Sequence, residues 1–226
     1  MHPNMILSLV SQKGGVGKSS LAVAIAWELR SRGGSVLLVD TDPQATARTA
    51  GELAADRGLD GPTTMVLGKD LARPNQLPLI AQKFDHVVLD TPGKLTEVTT
   101  PVLMVSDVTL VPIGPSPAEL WGNADTVTLV KAAQQSFNLA LRAAVVFVRN
   151  EPKTVMGNKV RSTLARGELP LFASETTSRV VWKEAMLHGQ GVAQYSPKDR
   201  AAREVRALVN ELLAFANNEI CEVANG

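Results

Sequence analysis

The chain has 226 residues, 45% of them hydrophobic, and a formal net charge of +1. That length and apolar content fit one α/β domain with a large core, so residues 1–226 are read as a single domain without a separate N-terminal DNA-binding module. Its single cysteine, Cys221, excludes a disulfide framework and any Cys-x-x-Cys zinc or iron–sulfur site, and fits a reducing compartment.

Met1 to Val10 lacks the basic start and long apolar run of a secretory signal, and no stretch approaches the roughly 20 apolar residues of a membrane span. A soluble, cytoplasmic protein is expected. Met5 to Val10 reads as a strand, and Gln12-Lys13-Gly14-Gly15-Val16-Gly17-Lys18-Ser19 follows it closely. Beyond, helical periodicity runs through about Arg30. Strand, glycine-rich loop and helix together make a phosphate-binding loop. Glycines at 14, 15 and 17 let backbone N–H groups close around phosphate oxygens, Lys18 reaches the β and γ phosphates, and the Ser19 hydroxyl suits Mg2+. The helix adds its positive dipole end. Lys13, Gly14, Gly15, Val16, Gly17, Lys18, Ser19 and Ser20 are the expected binding residues. The general pattern GxxxxGK[ST] wants glycine where this chain has Gln12, and Lys13 is an extra lysine. It is either a solvated side chain or a group that completes a second site across a dimer.

Arg32-Gly33-Gly34 stops the helix before a second strand, Ser35 to Asp40. The strand runs into Asp40-Thr41-Asp42-Pro43-Gln44, two carboxylates on one side of an extended segment at the same sheet edge as the loop. Taken alone this is a polar strand end and turn; behind a phosphate loop it is a candidate for chemistry. Residues 58–78, with Gly61-Pro62 and Arg73-Pro74, read as an irregular connection. Phe84 to Gly93 is an apolar strand ending in Asp90, which can hold Mg2+ through water while Ser19 binds it directly, and Gly93 gives a turn able to move when the γ-phosphate leaves. His86 reads as a packing or surface residue, and His2 and His188 lack a partner pattern. Val108 to Ile113, Ala143 to Val148 and Leu169 to Ala173 read as further buried parallel strands. A last helix, about 197–215, puts Val205, Leu208, Val209, Leu212 and Leu213 on one face and Arg200, Arg203 and Arg206 away from it. This alternation predicts an α/β fold, a doubly wound, mostly parallel sheet with helices on both faces and ligands at the strands' carboxyl ends.

Lys13 to Ser19 resembles the deviant Walker A box of the ParA/MinD ATPases, Asp40 to Gln44 their D-x-D-P-Q signature, and residues 84–93 their Walker B strand. Leu110 to Pro117, with Glu119 and Trp121 beyond, resembles the strand and dimer-facing helix of small ParA-type partition ATPases lacking an N-terminal DNA-binding domain. The resemblance implies a P-loop NTPase that hydrolyses ATP with Mg2+, weakly without a partner, and a homodimer that sandwiches ATP. Lys13 would contact the nucleotide of the partner subunit. Lys13, Lys18 and Asp42 become the catalytic set, with Asp42 orienting the attacking water; Ser19, Asp40 and Asp90 become the metal set, Asp40 also supporting the switch geometry. Fold analogy puts the base near Arg149-Asn150 and Thr176 to Arg179.

The resemblance further implies a nucleoid-associated protein that binds DNA without sequence preference and segregates plasmid or chromosome DNA. A ParB-like or small adaptor protein would stimulate its hydrolysis. Positioning a protein organelle such as a carboxysome, and MinD-like membrane cycling, are the alternatives. Charge is unevenly divided: residues 142–206 carry +6, against −2 before and −3 after, a pointer to a polyanion. Arg161, Arg166, Lys183, Lys198, Arg200, Arg203 and Arg206 are the candidate phosphate contacts. Asp199 and Glu204 interrupt them, with helix ion pairs such as Asp199 to Arg203 expected. Residues 217–226 are acidic and poor in large apolar side chains, so no stable membrane association is expected.

Overall fold

The computed structural model describes residues 5–94, 96–151 and 154–218; His2, Cys221 and the tail beyond Asn218 lie outside the described residues. The first half runs β1 (Met5–Leu9), α1 (Lys18–Ser31), β2 (Val36–Asp40), α2 (Thr46–Asp56), β3 (Thr63–Val66), α3 (Leu77–Ala81), β4 (His86–Asp90) and α4 (Thr99–Val105). The second runs β5 (Val108–Ile113), α5 (Pro117–Trp121), α6 (Ala124–Ser136), β6 (Arg142–Asn150), α7 (Val155–Leu164), β7 (Leu171–Thr177), α8 (Val181–Leu187), α9 (Val192–Tyr195) and α10 (Arg200–Ala216). The seven strands form one sheet in the order β3-β2-β4-β1-β5-β6-β7, and every pairing is parallel.

Continuous apolar runs make the central strands, because both faces of the sheet are covered. On one side Leu7, Leu9 and Val88 pack with Ile25 of α1, Ala50 of α2, Val181 of α8 and Leu208 of α10. On the other Val87, Leu89 and Phe147 pack with Leu77 of α3, Leu103 of α4, Val130 of α6 and Val160 of α7. α1 is buried from Leu21 to Leu29, as a helix enclosed between the sheet and α10 must be.

After β1 the chain winds toward β3, and after β4 toward β7, so the winding direction reverses around β1. A crevice opens at the carboxyl ends of the strands at such a point. Register brings the chemistry to one level: Leu9 lies opposite Asp90 and Asp90 opposite Asp40.

The stretch 58–78 is more regular than expected, since it holds edge strand β3 and leads into α3. β3 is only four residues long and partly exposed, too short to show an alternation. β7 runs to Thr177, beyond the expected Ala173. Its polar second half is tied down by α10: Glu211 accepts from the N–H groups of Ala173 and Ser174 (2.7 Å each) and Glu204 from that of Thr177 (2.9 Å).

Candidate nucleotide site at the carboxyl edge of the sheet

Gly15 (φ 75°) and Gly17 (φ 101°) hold the left-handed backbone that lets the loop after β1 curl back on itself. Gly17 caps α1 without a side-chain bond, and the first turn of that helix has no acidic residue. Its leading N–H groups and positive end are thus left for an anion. Gly93, after β4, packs flat on Gly14: a Cβ there would stand 2.8 Å from the Gly14 Cα.

Lys18 is 6% exposed, and its Nζ donates to the Lys13 carbonyl at 3.3 Å. Burial pulls its pKa down, while the charges of Asp90 and Asp42 hold it up. Asp90 is completely buried, and neither carboxylate oxygen completes a hydrogen bond of ordinary geometry. Burial pushes its pKa up to about 7; the adjacent Ser19 hydroxyl and Lys18 oppose the rise, and Asp40 and Asp42 add to it. A buried carboxylate without partners is costly, and a hydrated hard cation relieves that cost. Ser19 and Asp90 supply the oxygen donors that Mg2+ prefers.

Asp40 is buried one strand over. One of its oxygens accepts from the Asp42 N–H and the other from the Arg48 N–H, both at 2.9 Å. It thereby fastens the loop after β2 to the first turn of α2, and these backbone bonds counter the rise in its pKa that burial causes. Asp42 is half-buried and accepts from the Gln44 N–H at 2.9 Å. With Gly14, Lys18, Ser19, Thr91 and Gly93 it lines a cavity of about 680 Å³.

Lys13 does not line that cavity. It is exposed, and its Cδ lies 3.6 Å from where a Cβ at Gly122 would stand, just past α5. The unexpected Gln12 is anchored on the same side: its N–H donates to the Thr126 hydroxyl at 3.0 Å, and its side-chain amide, with the nitrogen placed where only acceptors face it, can donate to Asp125 and the Gly122 carbonyl.

A second cavity, of about 210 Å³, lies where the base was expected, lined by Val16, Leu21, Val148, Arg149, Thr176 to Arg179, Trp182 and Lys183. Trp182 was not foreseen, and neither was the contact between Arg149 and Glu119 at 3.1 Å. The available signals were a basic residue at a strand end and an acid after Ser116-Pro117.

The basic residues divide into two groups. Arg161 pairs with Glu175, Arg200 with Glu204 at 2.7 Å, and Arg206 donates to the Pro197 and Ala193 carbonyls. Arg166, Lys183, Lys198 and Arg203 are exposed. Asp199 does not form the expected close ion pair with Arg203, although the Arg203 charge helps to hold its pKa down. As the N-cap of α10 it turns back to the Ala201 N–H, and it forms a two-pronged pair with Arg179 instead, both bonds 2.9 Å.

The CobQ/CobB/MinD/ParA nucleotide binding domain matches residues 7–185. The maintenance of carboxysome distribution protein A of Halothiobacillus neapolitanus is 32% identical over 213 residues, covering 92% of this chain and 95% of that one. The chromosome-partitioning ATPase Soj of Thermus thermophilus is 28% identical over 237 residues, with the same coverage. Among solved structures, cobyrinic acid a,c-diamide synthase from Mycobacterium smegmatis with bound ADP and magnesium superposes with a TM-score of 0.77 at 22% identity, over 96% of each chain. MinD from Pyrococcus horikoshii complexed with Mg-ADP gives 0.74 at 17%, over 96% of this chain and 99% of that one. By the span of the domain match and by its fold, the chain belongs to the CobQ/CobB/MinD/ParA nucleotide-binding family.

Proposed function

We propose that this chain is a ParA-type ATPase: it binds Mg·ATP, closes with a second copy around two nucleotides, holds DNA non-specifically in that state, and releases it after partner-stimulated hydrolysis. The observation that carries this reading is the division between its two loop lysines. Lys18 is buried against the phosphate cavity, whereas Lys13 is exposed outside it, with its Cδ beside Gly122 just past α5. A triphosphate with one divalent cation keeps negative charge, and Lys13 can neutralise part of it from across a dimer; loss of the γ-phosphate weakens that bridge. Trp121, 75% exposed at the end of α5, supports a face that is covered on pairing.

Mg2+ bound here would supply positive charge against the phosphate oxygens of the nucleotide. Ser19 and Asp90 would hold it, with Asp40 at the same level of the sheet. Asp42, on the loop that Asp40 fastens, orients the attacking water and accepts its proton. The 32% likeness to a carboxysome distribution protein favours a protein organelle as cargo, alongside plasmid or chromosome DNA. Among the described residues no helix is long and apolar enough to cross a membrane.

The test is retention of mixed-sequence duplex DNA with ATP and with ADP, with anionic liposomes as the competing surface. Retention of DNA with ATP alone, falling steeply with salt, is expected. Preference for liposomes would favour membrane cycling, and binding to neither would sink the nucleoid reading.

A further inference from the structure

Arg149, the penultimate residue of β6, has φ 53°, a left-handed conformation uncommon for a residue with a Cβ, and its surroundings hold it there. Two contacts do so. One guanidinium nitrogen donates to the Gly15 carbonyl of the phosphate loop, and the other donates to Glu119 at 3.1 Å. Glu119 is 6% exposed, and its second oxygen accepts from the Ser116 hydroxyl at 3.2 Å. Gly114 leaves it room, since a Cβ there would stand 2.2 Å from that oxygen. A carboxylate this buried depends on its cation, so removing Arg149, whose own side chain is 45% exposed, strands the charge of Glu119.

We infer that Arg149 and Glu119 are a positioning pair that shapes the phosphate loop for the β-phosphate of a nucleotide and links that shape to α5. The inference rests on the nucleotide reading above. In a trans peptide the N–H points opposite to the carbonyl, so drawing the Gly15 carbonyl toward Arg149 turns the Val16 N–H to the other side of the loop. Backbone N–H groups so directed are what bind phosphate oxygens. Glu119 also reaches the start of the loop. Its carbonyl accepts from the Asn123 amide at 2.8 Å, the Asn123 side-chain oxygen accepts from the Ser11 hydroxyl at 2.7 Å, and that hydroxyl accepts from the Lys13 N–H at 3.2 Å. Lys13 and Gly15 are thus both anchored on α5, one through Asn123 and one through Arg149. Arg149 also lines the 210 Å³ cavity, so a nucleoside seated there lies against the same side chain.

Mg·ADP affinity, measured by titration calorimetry on the full chain, tests the pair without the dimer step. The variants are Arg149→Met, Arg149→Lys, Glu119→Gln and the double Arg149→Met/Glu119→Gln, each checked for a cooperative unfolding transition without nucleotide. Arg149→Met is expected to weaken ADP binding about tenfold and Glu119→Gln about threefold, with the double variant no weaker than Arg149→Met, because one unit is lost in both. Arg149→Lys is expected to recover part of the loss, since it keeps the charge and a donor. Parental affinity in Arg149→Met, or losses that add in the double variant, would overturn the pair. A parent that binds no Mg·ADP would overturn the nucleotide reading, and the pair with it.

Discussion

Ala45 occupies the left-handed region (φ 54°, ψ 36°) three residues after Asp42, at the N-cap of α2, with its N–H donating to the Asp42 carbonyl at 2.8 Å. Glycine adopts that backbone without the Cβ penalty, so Ala45→Gly is expected to raise the unfolding midpoint by about 1–3 °C. Calorimetry checks this, and a lowered midpoint would mean that no strain is stored there. Asp42→Ala is expected to bind Mg·ATP like the parent and to hydrolyse it about 100-fold more slowly, as loss of a general base does. Parental turnover would move the role to Asp40. Lys18, Ser19, Asp42 and Asp90 were legible in the sequence because each stands next to a glycine-rich loop or at the end of an apolar run. Glu119 and Arg149 each stand at a readable place, an acid after Ser116-Pro117 and a base after an apolar run, but nothing local couples them; thirty residues separate them, and only the fold joins them to Gly15.

Among the elements, β7 shows how a polar run becomes a strand. Edge strands expose unpaired backbone groups, and Glu204 and Glu211, seven residues and two helical turns apart on α10, accept from three of those N–H groups. Glu211→Ala removes two charge-assisted acceptors, at an expected cost of about 1–2 kcal/mol. It should appear as a lower denaturant midpoint with an unchanged slope, and an unmoved midpoint would show that water replaces the carboxylate without loss. β1, β2, β4 and β5 were readable from their continuous apolar residues, because burial on both faces leaves that pattern. β3 and the second half of β7 were not, since what pairs them is a neighbouring strand or a helix distant in sequence.

At the scale of the whole molecule, the basic excess of residues 142–206 overstates the surface free for a polyanion, because Arg161, Arg179 and Arg200 are engaged with carboxylates. Lys198 and Arg203 are exposed. Lys198→Glu/Arg203→Glu is therefore expected to weaken DNA retention by the ATP dimer about tenfold or more near 0.1 M salt, with ATP turnover in the absence of DNA unchanged. Undiminished retention would put the DNA face elsewhere. Dimerisation by the exposed Lys13 is the central claim, and solution mass with Mg·ATP tests it most directly, in the slow-hydrolysing Asp42→Ala background. Asp42→Ala is expected to run as a dimer with ATP and a monomer with ADP, and Lys13→Ala/Asp42→Ala as a monomer with both while still binding nucleotide. A Lys13→Ala/Asp42→Ala protein that dimerises with ATP as readily as Asp42→Ala would contradict the account.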